Sequence, residues 1–394
     1  DRDCLDRIVW MDCELTALPR HIETKALSTT NPTDFVTVLD EPTIMEIAVI
    51  VTDSELNIIA ESPNIVIHHD EKTLLNMDVS SWKMYKLNGL LRDVRKSRVG
   101  MAKAEEKVLA FLKEYVIEKA APLAGNTVYL HRHSIMKHMR SVNAFLHHNV
   151  IDVDSIRRIA YGWKSSLIGN IPKKALKHRA LSDIKESIAE LKYYKYTLFH
   201  SDCSFRCGPN VSSMSESHRF VWMHFKYTRG GCFKQQKFFE MAVVVTDANC
   251  NVVAAVEPAI VIRLDKERSN LANFFFSNML VEREEKIGMI HLGMEEAEER
   301  VLAFVKQHST PGKTYLAGNN IRVGRCFTRH FMPRLDAHFH HHVIDVSSIG
   351  ELARRWQPFV FESMPRKRMT SRPLSIIANS VRELAHYKAN FVRK

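Results

Sequence analysis

The run VWMDCELTAL, Val9 to Leu18, sets two carboxylates, Asp12 and Glu14, one residue apart inside an otherwise apolar segment. The segment reads as a short β-strand, in which residues two apart face the same side. Asp12 and Glu14 therefore point together and Cys13 points away. Neighbouring carboxylates repel, and ionising them beside a core is costly. A divalent cation relieves both difficulties, and hard oxygen ligands at this spacing suit Mg²⁺ or Mn²⁺. The strand alone also allows a blander arrangement, with one acid paired to a lysine and the other reaching solvent.

The same entrance returns in VWMHFKYTRG, Val221 to Gly230, where His224 and Lys226 replace the two acids. It belongs to a longer internal repeat. MEIAVIVTDSELNIIAE (Met45 to Glu61) returns as FEMAVVVTDANCNVVAA (Phe239 to Ala255), and HHNVIDVDSI (147–156) as HHHVIDVSSI (340–349). GMAKAEEKVLAFLKE and GMEEAEERVLAFVKQ start at Gly100 and Gly293, and the offset of 193 then holds to the end of the copy. The intervening HSDCSFRCGPNVSSMSES reads as a linker, rich in Ser, Cys, Gly and Pro. The expected organisation is a first domain at 1–198, a linker at 199–216 and a second domain at 217–394. A length of 394 residues also exceeds what one ordinary core holds.

Within the first copy, Val9–Glu14, Ile44–Thr52 and Asn64–His68 read as strands, and Asp53 to Asn57 as a hairpin turn. Asn126–Leu130 reads as a further strand. Ala102–Val116, Asp152–Gly162 and Leu181–Tyr194 show helical spacing. The fold class is α/β, a mixed sheet flanked by helices.

Hydrophobic residues at 45% and charged residues at 26% are the composition of a soluble globular chain. No run of eighteen apolar residues marks a membrane span, and DRDCLDRIVW does not read as a secretory signal. Seven scattered cysteines argue against a disulfide framework and for an intracellular, reducing location, cytoplasmic or mitochondrial. Cys203 and Cys207, with His200 and His218, form a weak zinc pattern that lacks a second paired arm. A net charge of +11 and a pI near 9.2 favour an anionic partner, nucleic acid first, although a basic surface also serves solubility.

Near the end of the first copy, KHRALSDIKESIAEL puts His178 just before a helix and Asp183 in its first turn. Asp183 offers a third oxygen ligand. A histidine on such an approach suits a general base, because imidazole titrates near neutrality; it is also an ordinary surface residue in the basic stretch Lys173 to Arg179.

The ordered series WMDCELTAL, IMEIAVIVTDSELNIIAE, LAGN, VIDVDSI and HRALSDIKESIAELKYY resembles the oligoribonuclease branch of the DEDDh 3′→5′ exonucleases over nearly all of the first copy. The resemblance implies an RNase H-like (DnaQ-like) fold with a mixed five-stranded sheet, a two-metal Mg²⁺ or Mn²⁺ site, and removal of nucleotides from the 3′ end of short single-stranded RNA. By position it makes Asp12, Glu14 and Asp183 metal-binding acids and His178 the base. Two metals so held would clamp the attacking and leaving oxygens. It also implies substrate contacts at Leu18, Trp82, Asn126 and His148, with Leu18 a wedge between bases and Trp82 a stacking surface. Trp82 is equally readable as a core tryptophan.

Three departures stand out. His131 occupies a family acid position and is a candidate fourth metal ligand; imidazole can bind a metal but brings no charge and is softer, which implies weaker Mg²⁺ binding with a shift toward Mn²⁺, or a site that no longer turns over. Asn149 and Asp154 replace the family's arginine and serine at the 5′ phosphate. In the second copy the five catalytic positions hold His224, Lys226, Gly324, Ser371 and Ile376, so that copy is expected to be inactive. Family members are homodimers, and the second copy is expected to dock on the first as an intramolecular pseudo-dimer, with His341 leaning into the first site. Pairing of two whole chains stays open. The run around His340 to His342 also invites a metal reading. The alternative to an exoribonuclease is an inactive pseudo-exonuclease that grips RNA or acts as a protein scaffold.

Overall fold

The computed structural model describes residues 6–17, 42–199, 219–227, 238–257, 259–262, 290–367 and 372–393. The chain divides into two compact units. One is Asp1–Gly208 with Ser347–Glu362 and Phe391–Lys394; the other is Pro209–Val346 with Ser363–Asn390. Nearly all of the linker, with His200, Cys203, Cys207 and His218, lies outside the described residues.

The first unit is built on β1 (Ile8–Leu15), β2 (Ile44–Thr52), β3 (Ile58–Glu61), β4 (Ile65–Val66), β5 (Leu123–Gly125) and β6 (Val150–Asp152). Its helices are α1 (Glu71–Leu75), α2 (Val79–Leu87), α3 (Leu90–Lys96), α4 (Met101–Tyr115), α5 (Val128–His138), α6 (Arg140–Phe145), α7 (Val153–Trp163) and α8 (Ala180–Thr197). The sheet order is β3-β2-β1-β5-β6. β1 pairs antiparallel with β2 and parallel with β5, and β5 pairs parallel with β6. The sheet has six strands rather than the five expected, because nine-residue β2 has room for β3 along one end and two-residue β4 along the other.

Strand alternation decides which residues face which layer. Val9, Met11, Cys13 and Leu15 enter the core beneath Ala104, Val108 and Leu112 of α4. The opposite face of β1 and β2 is covered by α8, which buries Ile184, Ile188 and Leu191. Asp12 and Glu14 lie on that second face. Each fully buried aliphatic side chain contributes about 1.5–3 kcal/mol, so the layers hold the acid-bearing strand firmly.

One local device differs from the sequence expectation. The expected strand at 126–130 is instead the start of α5. Thr127 turns left-handed (φ 50°), and its N–H and Oγ1 both donate to Asp154 at 2.8 Å. Val128 N–H donates to Asp152 at 3.4 Å. These carboxylates, brought from the β6–α7 junction, satisfy the free amides that open a helix. Asp154 is thus buried and committed to the fold. Before the turn, a Cβ on Gly125 would stand 3.1 Å from the Met11 carbonyl oxygen, so any side chain there would push β5 and β1 apart by a few tenths of an ångström.

Residues from the far end of the chain finish this unit. Ser348 Oγ accepts from Asp152 N–H at 2.9 Å and donates to the Val150 carbonyl at 3.2 Å, along the free edge of β6. Trp356 Nε1 donates to the Ser54 carbonyl at 2.8 Å, and Asn149 Nδ2 to Glu351 at 2.7 Å. Phe199 stacks on Phe391 with ring centroids 4.3 Å apart.

The second unit carries β7 (Arg219–Tyr227), β8 (Phe238–Asp247), β9 (Val252–Ala255), β10 (Ile260–Ile262), β11 (Ile290–Leu292), β12 (Tyr315–Gly318) and β13 (Val343–Asp345). Its order is β11-β10-β8-β7-β12-β13, with β9 also on β8. Again the central strand has an antiparallel partner, β8, and a parallel one, β12. No helix among the described residues is long and apolar enough to cross a membrane.

Candidate active site

Asp12 and Glu14 project from β1, and Asp183 from the first turn of α8. One oxygen from each lies within 4.8 Å of the others. Glu14 Oε1 and Asp183 Oδ1 are buried with no hydrogen-bond partner. Burial raises the Asp12 carboxyl well above its usual range, and the charges of Asp183 and Glu46 push it further, against the pull of Lys174. Glu14 is raised by burial and then by Asp12 and Asp183, and is partly relieved by the Tyr85 hydroxyl, which donates to Oε2 at 2.9 Å. Asp183 is pushed up to about 6, chiefly by burial. Three crowded acids, two of them with an unsatisfied oxygen, are what a hard divalent cation would repair, so the residues present fit Mg²⁺ or Mn²⁺.

His131 lies one turn into α5, and its Nε2 is 3.2 Å from Asp12 Oδ1. Its Nδ1 accepts the Cys13 N–H at 3.1 Å. Burial lowers its pKa to about 4, while the Asn126 carbonyl and Asp183 pull the other way, so the ring is neutral at pH 7.

His178 is half-buried, with a left-handed backbone (φ 50°), two residues after Leu176 in the same region (φ 53°). Non-glycine residues hold such angles only when their surroundings fix them. Here Asn88 Nδ2, at the end of α2, donates to the Lys177 carbonyl at 3.1 Å and to the His178 carbonyl at 2.7 Å. On the other side, Arg179 grips the fully buried Glu46 through Nε at 3.0 Å and Nη2 at 2.6 Å. Glu46 also accepts the Ala180 N–H at 2.9 Å, at the positive end of α8.

Trp82 sits on α2, one turn before Tyr85, half-buried against the cluster of Met45, Leu74 and Met77, with Lys86 Nζ 4.8 Å above its ring. Both sequence readings of Trp82 thus survive: one part anchors, the other is open. Asn126 Nδ2 lies 3.4 Å from Glu190, and its Oδ1 is buried without a partner. His148 is exposed, its ring tilted against that of His147 with centroids 4.2 Å apart. Leu18 lies outside the described residues. Asp12, Glu14, Asp183 and His131 therefore converge as expected. Glu46, Tyr85, Asn88 and Arg179 were missed; only Arg179, directly after His178 in the sequence, gave any signal.

A family model described as Exonuclease matches residues 9–191. An oligoribonuclease of Rhodococcus jostii (strain RHA1) is 41% identical over 211 residues, covering 53% of this chain and 94% of that protein. The chain belongs to the oligoribonuclease family. A probable oligoribonuclease of Caenorhabditis elegans is 39% identical over 193 residues, 49% of this chain and 89% of that protein. A solved structure of E. coli exonuclease I with a dT13 oligonucleotide is a weaker match, with TM-score 0.34 and 15% identity over 48% of this chain and 41% of that one. The fold is the RNase H-like fold of this exonuclease family, whose members use divalent metals.

The second unit departs from the oligoribonuclease set at every described position. His224 faces Ala242 of β8, and burial lowers its pKa. Lys226 Nζ lies 3.7 Å from Glu240. A side chain at Gly324 would meet Ile321 and Phe225, so no ligand replaces it. The remaining helices of the chain are α9 (Met294–His308), α10 (Ile321–Phe331), α11 (Pro333–His338), α12 (Val346–Trp356), α13 (Pro358–Glu362) and α14 (Pro373–Asn390), and Ile376 is half-buried in the first turn of α14. Ser371 lies outside the described residues. His341 sits between His340 and His342, its ring 4.2 and 4.1 Å from theirs.

Proposed function

We propose that the first unit is a divalent-metal-dependent 3′→5′ exoribonuclease acting on short single-stranded RNA, and that the second repeat is inactive. The carrying observation is the convergence of Asp12, Glu14 and Asp183, with buried oxygens left unpartnered. These three carboxylates would hold the metal, Mg²⁺ or Mn²⁺. When bound, it would supply Lewis acidity at a phosphate oxygen and ease ionisation of water. His178, on its clamped turn, takes the proton from that water at its imidazole. Trp82 offers the part of its ring outside the apolar cluster to a base.

The second repeat serves as a built-in partner in place of a second chain. In support, Ser347–Glu362 and Phe391–Lys394 belong to the first compact unit.

The test is end-labelled short RNA incubated with Mg²⁺ or Mn²⁺. The expected result is a ladder shortening from the 3′ end, abolished by chelator and by Asp12→Ala. Equal background loss in wild type and Asp12→Ala would refute catalysis. Salt-sensitive RNA binding in chelator, with no cleavage once Mg²⁺ or Mn²⁺ is supplied, would leave the RNA-gripping alternative.

A further inference from the structure

We infer that His131 is a positioning residue and not a metal ligand, so that the first unit's site is an all-oxygen set of three carboxylates. The inference rests on the proposed metal site and specifies its chemistry.

The decisive contact is made by the main chain. The β1–β5 ladder ends at Trp10 and Ala124. The Cys13 N–H, further along β1, has no strand partner on that side, and it points instead at His131 Nδ1, 3.1 Å away. A buried amide must donate, and an amide cannot lose its proton at ordinary pH. Nδ1 must therefore present a lone pair. A neutral imidazole with a lone pair at Nδ1 carries its proton on Nε2. Asp12 Oδ1 lies 3.2 Å from Nε2, within reach of that proton. Both ring nitrogens are then committed, and no lone pair remains for a cation. The Asn126 carbonyl also faces the ring and favours a ring proton. A proton on Nδ1, however, would collide with the Cys13 N–H.

The role left to His131 is to fix Asp12. Donating to Oδ1 selects one carboxylate rotamer and leaves Oδ2 to the metal, as outer-shell donors do at many metal sites. His131 lies on α5, whose start is pinned by Asp154 and Asp152, so it ties the helix to the strand at the metal side. The cation class follows. With no nitrogen donor, the site takes hard ions on oxygen, and His131 gives no advantage to Zn²⁺, Ni²⁺ or Co²⁺.

The experiment uses the full chain loaded with Mn²⁺, with and without His131→Leu and His131→Gln. Pulsed electron paramagnetic resonance detects an imidazole nitrogen bound directly to Mn²⁺, and titration gives the affinity. The expected result is that wild type and His131→Leu show the same nitrogen signature, while Leu weakens Mn²⁺ roughly tenfold. Glutamine keeps a donor for Asp12 and an acceptor for Cys13, and should restore most of the affinity. A coupled nitrogen that disappears in His131→Leu would overturn the inference and leave the exonuclease reading intact. Failure of wild type to take up Mn²⁺ at all would instead sink the metal-dependent reading. Affinity in His131→Gln as low as in His131→Leu, with the folding of both intact by circular dichroism, would also count against positioning.

Discussion

Replacing Arg179 with methionine should damage the protein out of proportion to its half-exposed position. Glu46 is fully buried, and three of its contacts come from Arg179 Nε and Nη2, at 3.0–3.2 and 2.6 Å. Without the guanidinium, Glu46 keeps the Ala180 amide, beside two carboxyls that its charge already disfavours. Removing one partner of a buried ion pair costs about 3–5 kcal/mol. The Arg179 side chain is 25% exposed and the helix amide remains, so the lower end, about 3 kcal/mol, applies. At about 2–4 °C per kcal/mol for units of 150–250 residues, the melting temperature should fall by roughly 6–12 °C. The assay is a circular dichroism melt at neutral pH in chelator, with Arg179→Met, Glu46→Leu and the double variant. Removing both partners takes away the orphaned charge, so the double variant should melt above Arg179→Met. A single variant within about 2 °C of wild type would refute the reasoning, as would a double variant no better than the single.

Asn88→Ala should lower RNA turnover about tenfold while leaving Mn²⁺ affinity within about twofold, since it releases two hydrogen bonds of about 0.5–1.5 kcal/mol each from the His178 turn and none from the carboxylates. Parallel loss of metal affinity would mean that Asn88 supports the acids instead. The pH dependence follows from Asp183, raised to about 6. Stability due to its neutral carboxyl is complete below its unfolded value of about 4 and is lost as pH rises through about 6 in the metal-free protein. Mn²⁺ binding runs the other way: it must displace that proton, and any held by the raised Asp12 and Glu14, so affinity should drop by about tenfold or more per unit as pH falls below 6, as titration calorimetry at pH 5 to 8 would show.

The two acids of β1 were legible because a strand has a period of two, and burial of Cys13 with Val9 and Met11 on one face leaves Asp12 and Glu14 on the other. α8 and Asp183 were legible from helical spacing. The start of α5 was not. VYL is a good strand sequence, and only Asp152 and Asp154, which follow more than twenty residues later, turn it into a helix. The clamp on His178 was hidden for the same reason, since Asn88 and Glu46 lie far from it in sequence and meet it only through packing. Local pattern names the groups that carry charge. It is silent on the tertiary partners that hold them still, and on whether His131 faces a metal with a lone pair or with a proton.

The hydrogen bonds of Ser348 to the rim of the first sheet set an order of events in the cell. Roughly 200 residues separate β6 and Phe199 from Ser348 and Phe391, which cover them, and at about 5–20 residues per second the ribosome needs on the order of 10–40 s to make those segments. During that interval the nascent first half presents an open strand edge and an unstacked phenylalanine, the features by which growing chains adhere to one another or recruit chaperones. Premature termination anywhere before Ser347 would make that exposure permanent, so messages cut short in the second half should yield insoluble protein rather than a smaller working nuclease.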